Sequence, residues 1–282
     1  MATIEELLQY GKEQLEKNGN EYAKYERKVL LEEVLGCNYM YMLMNGSEEV
    51  NAEKEQQYKN LVIQRCNHYP LQYLLGVAHF MDYTFFVNEH VLIPRNDTEV
   101  LVETADELIG KWGQDITDVK VLDLCCGSGC IGISLKLYHK EIELVLSDYS
   151  KHALEVTNKN LAKYNVQAEV LCGDLFESFT GKAKMIVSNP PYIETKVIDT
   201  LMPEVRDYEP MSALDGGEDG LDFYRRIVKE APKYLEDDGY LMFEIGHNQA
   251  LAVQSLMKDR GFSDVQVKKD YAGLDRVVYG HL

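Results

Sequence analysis

Lys120-Val121-Leu122-Asp123-Leu124-Cys125-Cys126-Gly127-Ser128-Gly129-Cys130-Ile131-Gly132 is the stretch on which the reading of this chain turns. Lys120–Leu124 is short, apolar and bounded by turn formers, which predicts a strand. The glycines that follow let the backbone turn tightly and approach a ligand closely. The helix expected next offers free N–H groups at its start. Gly127, Gly129 and Gly132 also satisfy G-x-G-x-x-G, the dinucleotide fingerprint. Taken alone, the pattern equally describes an ordinary tight strand–helix turn.

Working outward, the same alternation continues. A helix is expected over Glu99–Trp112. Further strands are expected at Glu143–Ser147, Glu169–Cys172, Met185–Ser188 and Tyr240–Ile245, with helical stretches between several of them. Alternating β and α elements imply an α/β domain, a parallel sheet covered on both faces. Val265–Lys268 and Arg276–Gly280 are joined only by a short loop, too short for a helical crossover, so they should pair antiparallel. Residues 3–70 read as helices. Thr3 with Glu6 is a capping box, a second helix spans Tyr22–Leu35 and ends at Gly36, and a third runs from near Asn51 to before Pro70. Between these regions, HFMDYTFFVNEHVLIP is aromatic and β-branched with Asn-Glu in its middle, which suggests a β-hairpin. The expected division is residues 1–75 helical, 76–96 a hairpin linker and 97–282 the α/β domain.

The 282 residues suffice for two domains, and a 45% hydrophobic content fills a sizeable core. The first residues are acidic and amphipathic, unlike a signal or transit peptide. No apolar run reaches the roughly 20 residues of a membrane span. A cytoplasmic location, no membrane contact and a monomer are expected. The formal charge of −18 opposes a phosphate backbone and shifts the expectation to a protein or small-molecule partner, with no direct nucleic acid. The six cysteines, Cys37, Cys66, Cys125, Cys126, Cys130 and Cys172, show no C-x-x-C spacing and read as reduced thiols. Cys125, Cys126 and Cys130 cluster, but no histidine or fourth ligand accompanies them, and no metal is expected.

Three acids sharpen the glycine loop. Asp148 ends the second strand, where a carboxylate can take both ribose hydroxyls. Asp174 ends the third, where it can accept the adenine amino N–H while Leu175 packs on the ring. Asp123, just before the loop, either lies near the amino-acid end of the ligand or orders the loop. An acid there suits an ammonium and a sulfonium better than a pyrophosphate, which favours S-adenosylmethionine (SAM) over NAD. The fourth strand runs into Asn189-Pro190-Pro191-Tyr192. It is a turn signal, yet it sits where open α/β sheets bind ligands. Asn189 Oδ1 and the Pro190 carbonyl can accept both N–H groups of a planar NH₂, and Tyr192 can stack on it. An amide nitrogen is a poor nucleophile, and such acceptors strengthen it as positive charge develops.

On these residues the chain resembles the bacterial release-factor glutamine methyltransferase family of the HemK/PrmC type. The resemblance spans nearly the whole length. It rests on Pro70–Gly76, Leu92–Glu99, the glycine loop, Asn189–Tyr192, Tyr208-Glu209-Pro210, Leu214–Tyr224 and Phe243–Gly246. It implies a class I SAM-dependent methyltransferase, Rossmann-like, with a seven-stranded mixed sheet ending in an antiparallel pair, plus a small N-terminal helical domain for substrate recognition. The implied reaction is methylation of the glutamine side-chain nitrogen (N5) in the Gly-Gly-Gln motif of class I release factors. Asn189, Pro190, Pro191 and Tyr192 match the substrate motif. Cys125, Cys126, Gly127, Ser128, Gly129, Asp148, Leu175 and Asn189 match cofactor positions, beside the Asp123 and Asp174 argued above. Two departures stand out: Asn96 where proline is expected, and Cys125-Cys126 where Gly-Thr is common. Rival readings are a ribosomal-protein glutamine methyltransferase, a nucleic-acid amine methyltransferase and an NAD-dependent oxidoreductase.

Overall fold

Thr3 opens the first helix by a reciprocal cap. Its hydroxyl accepts from the Glu6 N–H at 3.2 Å, and the Glu6 carboxylate accepts from the Thr3 N–H at 2.8 Å, so two of the orphan donors of a helix start are satisfied. This and the rest of the chain are seen in a computed structural model that describes residues 1–113 and 119–282. They form two compact units, residues 1–76 with 202–208, and residues 77–201 with 209–282.

In the first unit, α1 (Ile4–Lys17), α2 (Ala23–Leu35) and α4 (Ala52–Cys66) pack around Leu7, Leu15, Leu30, Leu31, Tyr58 and Val62, all fully buried. Two short helices escaped the sequence reading, α3 (Tyr39–Met44) and α5 (Leu71–Leu75). At five or six residues they are too short to establish a periodicity. The segment 202–208 is tied to this bundle by Glu204, 2.9 Å from Arg65, and by the Tyr208 hydroxyl, which donates to the Asn67 carbonyl at 2.8 Å.

In the second unit the chain runs through β1 (Val77–Phe80), β2 (Tyr83–Phe86), α6 (Asn96–Lys111), β3 (Lys120–Leu124), α7 (Cys130–Tyr138), β4 (Glu143–Asp148), α8 (Lys151–Tyr164), β5 (Glu169–Cys172), β6 (Ala183–Ser188) and α9 (Thr195–Ile198). After α10 (Pro203–Arg206), which belongs to the first unit, come α11 (Asp222–Glu230), β7 (Leu235–Glu244), α12 (Ala250–Asp259), β8 (Ser263–Lys269) and β9 (Asp275–His281). The seven-stranded sheet has the order β5-β4-β3-β6-β7-β9-β8. Its strands β3 to β7 are mutually parallel, while β9 pairs antiparallel with both β7 and β8, as expected for a mixed sheet with an antiparallel C-terminal pair. Successive residues serve opposite faces: Met185 and Val187 enter the core on the α6–α7 side, Ile186 that on the α11–α12 side. Both faces are thus covered, as a parallel sheet requires.

The order also places the site. The chain winds outward from β3 to β5, then returns to lay β6 on the other side of β3. Loops after β3 and β6 leave in opposite directions, and the crevice between them is where such sheets bind ligands. In register, Leu124 of β3 lies beside Ser147 of β4 and Ser188 of β6, so these strands deliver their following loops at one level.

Two local expectations are corrected. The hairpin turns at Met81-Asp82, between the paired Phe80 and Tyr83, and not at Asn88-Glu89. Met81 takes the left-handed conformation (φ 52°), which its residue type does not advertise. Strand β7 begins at Leu235, five residues before the expected Tyr240, and crosses an irregularity opposite Ala183 and Met185. Its polar Glu236-Asp237-Asp238-Gly239 reads as a turn, and Asp238 is indeed left-handed inside the strand (φ 57°). Among the described residues no helix is long and apolar enough to cross a membrane.

Candidate active site

The glycine loop gets its shape from side chains on three elements. Asp123, fully buried at the end of β3, accepts the Gly132 N–H at 2.9 Å. Gly132 has to be glycine there: a Cβ would stand 2.6 Å from Leu146 Cδ2 and 3.0 Å from Asp123 Oδ2. Asp148, at the end of β4, accepts the Gly127 N–H through Oδ2 and the Ser150 N–H through Oδ1, each at 2.8 Å. From α8, the Thr157 hydroxyl donates to the Gly127 carbonyl at 2.7 Å, and Asn160 Nδ2 donates to the Ser128 carbonyl at 2.8 Å. Cys125 sits in the left-handed region (φ 60°), as do Gly127 and Gly129.

Burial sets the ionisation here. It lifts the Asp123 carboxyl from 3.8 to about 7, against the Gly132 hydrogen bond and with the Asp148 charge adding. Asp148 is raised too, by burial, while the N–H groups of Ser150, Gly127 and Tyr149 hold it down. The thiols of Cys125, Cys126 and Cys130 are all pushed up by burial, Cys130 to about 12. At neutral pH they are inert, uncharged walls.

Beside this loop lies a cavity of about 650 Å³. Of the residues singled out in the sequence, Cys125, Cys126, Gly127, Ser128, Asp148, Asp174, Asn189 and Pro191 line it. Asp174 is engaged by Arg226, whose guanidinium donates to Oδ2 at 2.6 Å, and both residues border the cavity. Asp123, Gly129, Leu175, Pro190 and Tyr192 are not among the residues that line it. Of the two alternatives for Asp123, the geometry shows the ordering of the loop. Leu175 is buried, left-handed (φ 54°), and accepts from Ser147 Oγ through its carbonyl at 3.4 Å. The Tyr192 ring packs against the core under α11 and α12, and its hydroxyl donates to Glu244 Oε1 at 3.0 Å.

Asn189 reaches the cavity from the end of β6, across from the glycine loop. Its Nδ2 donates to Thr98 Oγ1 at 3.4 Å, which leaves Oδ1 as the acceptor the side chain can offer. The motif is clamped by Leu214–Gly220. The Ile193 N–H donates to the Leu214 carbonyl at 3.0 Å and the Gly216 N–H to the Ile193 carbonyl at 2.8 Å. Gln249 Nε2 donates to the Tyr192 carbonyl at 2.9 Å. A Cβ on Gly216 would stand 2.6 Å from Tyr192 Cα, so the glycines of this run are there to let two backbones touch.

The residues that sequence reasoning passed over are Thr98, Thr157, Asn160, Glu244 and Gln249. Each acts through a contact 30 or more positions away along the chain. Glu244 lay within the quoted Phe243–Gly246 run, and a carboxylate in an otherwise apolar strand end was the available signal.

Residues 6–76 match the family described as PrmC N-terminal domain, and residues 96–204 the family described as methyltransferase small domain. Over 99% of its length the chain is 39% identical to the release factor glutamine methyltransferase of Geobacter sulfurreducens, covering 97% of that protein. It is likewise 39% identical to the protein of that name in Clostridium botulinum, with 98% of each chain covered. A T. thermophilus 16S rRNA N2 G1207 methyltransferase, solved with AdoMet and guanosine, superimposes with a TM-score of 0.52 at 18% identity, over 73% of this chain and 49% of that one. That likeness is one of fold.

Proposed function

Since this chain belongs to the family of release factor glutamine methyltransferases, we propose that it methylates the side-chain nitrogen of the glutamine in the Gly-Gly-Gln motif of a class I release factor. The observation that carries the reading is Asn189: an amide at the cavity wall whose NH₂ is held by Thr98 and whose oxygen is left to accept. The enzyme is SAM-dependent, as its family is. The cavity residues fit that group. Asp148 borders the cavity at a strand end, and each of its oxygens, which accepts one backbone N–H, keeps a lone pair for a ribose hydroxyl; Asp148 and Asp215 add negative charge to the lining, while Asp174 is paired there with Arg226.

When bound, SAM supplies an electrophilic methyl group on a sulfonium. The chain's own task is to hold the target amide. Asn189 Oδ1 and the Pro190 carbonyl accept its two N–H groups and so fix its orientation. As the nitrogen gains positive charge its N–H groups become stronger donors, so both acceptors bind the transition state better than the ground state. Proline rigidity keeps the carbonyl in place. Tyr192, tied to Glu244, anchors the motif from behind. The proton can leave after transfer, so a strong general base is not required.

We assign recognition of the folded release factor to residues 1–75. In support, α3 exposes Met40, Leu43 and Met44, an apolar surface on a strongly acidic chain. Incubating the enzyme with labelled SAM and, separately, a release factor, a ribosomal-protein pool and DNA tests the assignment. Label should enter the release factor. Preferential labelling of a ribosomal protein or of DNA would replace it with one of the rival substrates. Leu43→Glu should raise KM for the release factor and leave SAM binding unchanged.

A further inference from the structure

Two residues at the edge of the cavity hold each other and leave complementary groups unused. Asp174 follows β5 by two residues, and Arg226 lies in the second turn of α11. Both line the cavity, and both side chains stay about half exposed, 46% and 47%. Arg226 Nη2 donates to Asp174 Oδ2 at 2.6 Å, and the guanidinium stands 5.7 Å from the centre of the Phe223 ring, a third lining residue. Among the described residues nothing donates to Asp174 Oδ1, and nothing accepts from the remaining guanidinium N–H groups of Arg226. The neighbouring Arg225 is engaged elsewhere, donating to Asp219 Oδ1 at 2.9 Å and to Asp222 Oδ1 at 3.1 Å.

A carboxylate only accepts, and a guanidinium only donates. Side by side they present one acceptor and one donor. Adenine carries the complement of that pair, an amino donor beside a ring nitrogen that accepts. Hypoxanthine, with oxygen in place of the amino group, does not. A primary amide also joins a donor to an acceptor, but the target amide belongs to another part of the sheet. β5 stands three strand positions from β6, which delivers Asn189. At about 4.8 Å per strand that is roughly 14 Å, so the pair meets the far end of the cofactor. We propose that Arg226 is a specificity-determining residue for that cofactor. It fixes Asp174 by one oxygen, leaves the other for the adenine amino group, and donates to the ring nitrogen beside it. The inference rests on the reading of Asp174 as the adenine acceptor. A half-exposed ion pair adds little to stability, so what the pair contributes is selection of the base.

Calorimetry on the full chain tests it, with S-adenosylhomocysteine, S-inosylhomocysteine and the 1-deaza and 7-deaza forms of the adenosyl compound. The parent should bind the inosyl compound and one of the two deaza compounds about 10- to 100-fold more weakly than S-adenosylhomocysteine, the scale of a hydrogen bond to a charged group. Arg226→Met keeps the aliphatic stem and removes the donors. It should bind S-adenosylhomocysteine and that deaza compound alike, retain the preference over the inosyl compound, and melt without ligand near the parent's temperature. Asp174→Ala should lose the preference for amino over oxo. Equal binding of S-adenosylhomocysteine and both deaza compounds by the parent, or a deaza penalty that survives in Arg226→Met, would overturn the role of Arg226. An amino preference that survives in Asp174→Ala means instead that the base is held elsewhere, and it is the reading of Asp174 that fails.

Discussion

The Asn160 side chain, fully buried on α8, donates to the Ser128 carbonyl at 2.8 Å and so ties the cofactor loop to a helix that begins beyond the next strand. The same amide accepts the Phe86 N–H at 2.7 Å and donates to the Phe86 carbonyl at 3.1 Å, which pins the hairpin to the same point. Asn160→Ala strands three backbone groups. Each buried group left without a partner costs about 1–3 kcal/mol. Urea unfolding should show a loss of about 3 kcal/mol, and calorimetry a weaker SAM affinity because the loop loses its brace. An unchanged affinity in a destabilised variant would mean that Asn160 serves the hairpin alone.

Cys125→Gly should stabilise the protein. A left-handed backbone costs an L-residue roughly 1–2 kcal/mol, and Cys125 adopts it at φ 60°. Glycine removes that strain and returns about 0.5–1 kcal/mol of it as extra unfolded-state entropy. A net gain of about 0.5–1 kcal/mol is expected in the unfolding free energy. A loss would show that the contact of the thiol with Ser188 outweighs the strain.

Stability should fall with pH in a window set by Asp123. Its carboxyl titrates near 3.8 in the unfolded chain and near 7 in the folded one. Between those values the native state holds a proton that the unfolded state has released. The contribution is therefore complete below about pH 3.8 and is lost as pH rises to about 7, at about 1.4 kcal/mol per pH unit. Unfolding free energies measured from pH 4.5 to 8 on the parent and on Asp123→Asn should converge or diverge with that slope and run parallel above pH 7. Parallel curves throughout would mean that the carboxylate is ionised in the fold.

Asn189→Ala should reduce kcat by about 10² to 10³, the scale for removing one preorganised polar group from a transition-state site. SAM affinity should change less, because the glycine loop and Asp148 are untouched. Asn189→Asp keeps an acceptor oxygen but loses the NH₂ that bonds Thr98, so it should be impaired as well, though less than alanine. Single-turnover rates and SAM binding on both variants decide it. Near-normal turnover in folded Asn189→Ala would leave the residue a turn former only.

The sequence by itself determined the α/β class, the antiparallel close of the sheet, the glycine loop and the Asn189–Tyr192 motif. These are local facts. A strand's apolar run, the glycines that end it and the proline-stiffened turn after another strand are written in adjacent residues. Tertiary structure alone decided which strands are neighbours. The return of β6 to the side of β3 brings Asn189 level with the loop after Leu124, and no short-range pattern encodes that return. It also decided which motif residues face the cavity and which support it. Leu175 and Tyr192, read in the sequence as ligand contacts, also pack with the core on the α11–α12 side. Asn160 lies in no quoted motif, and Thr98 and Glu244 lie in quoted runs, Leu92–Glu99 and Phe243–Gly246, that assign them no role. They matter because folding sets a single buried hydroxyl, amide or carboxylate against a partner 32 to 91 residues away, and a buried polar group must find such a partner wherever the chain happens to bring it.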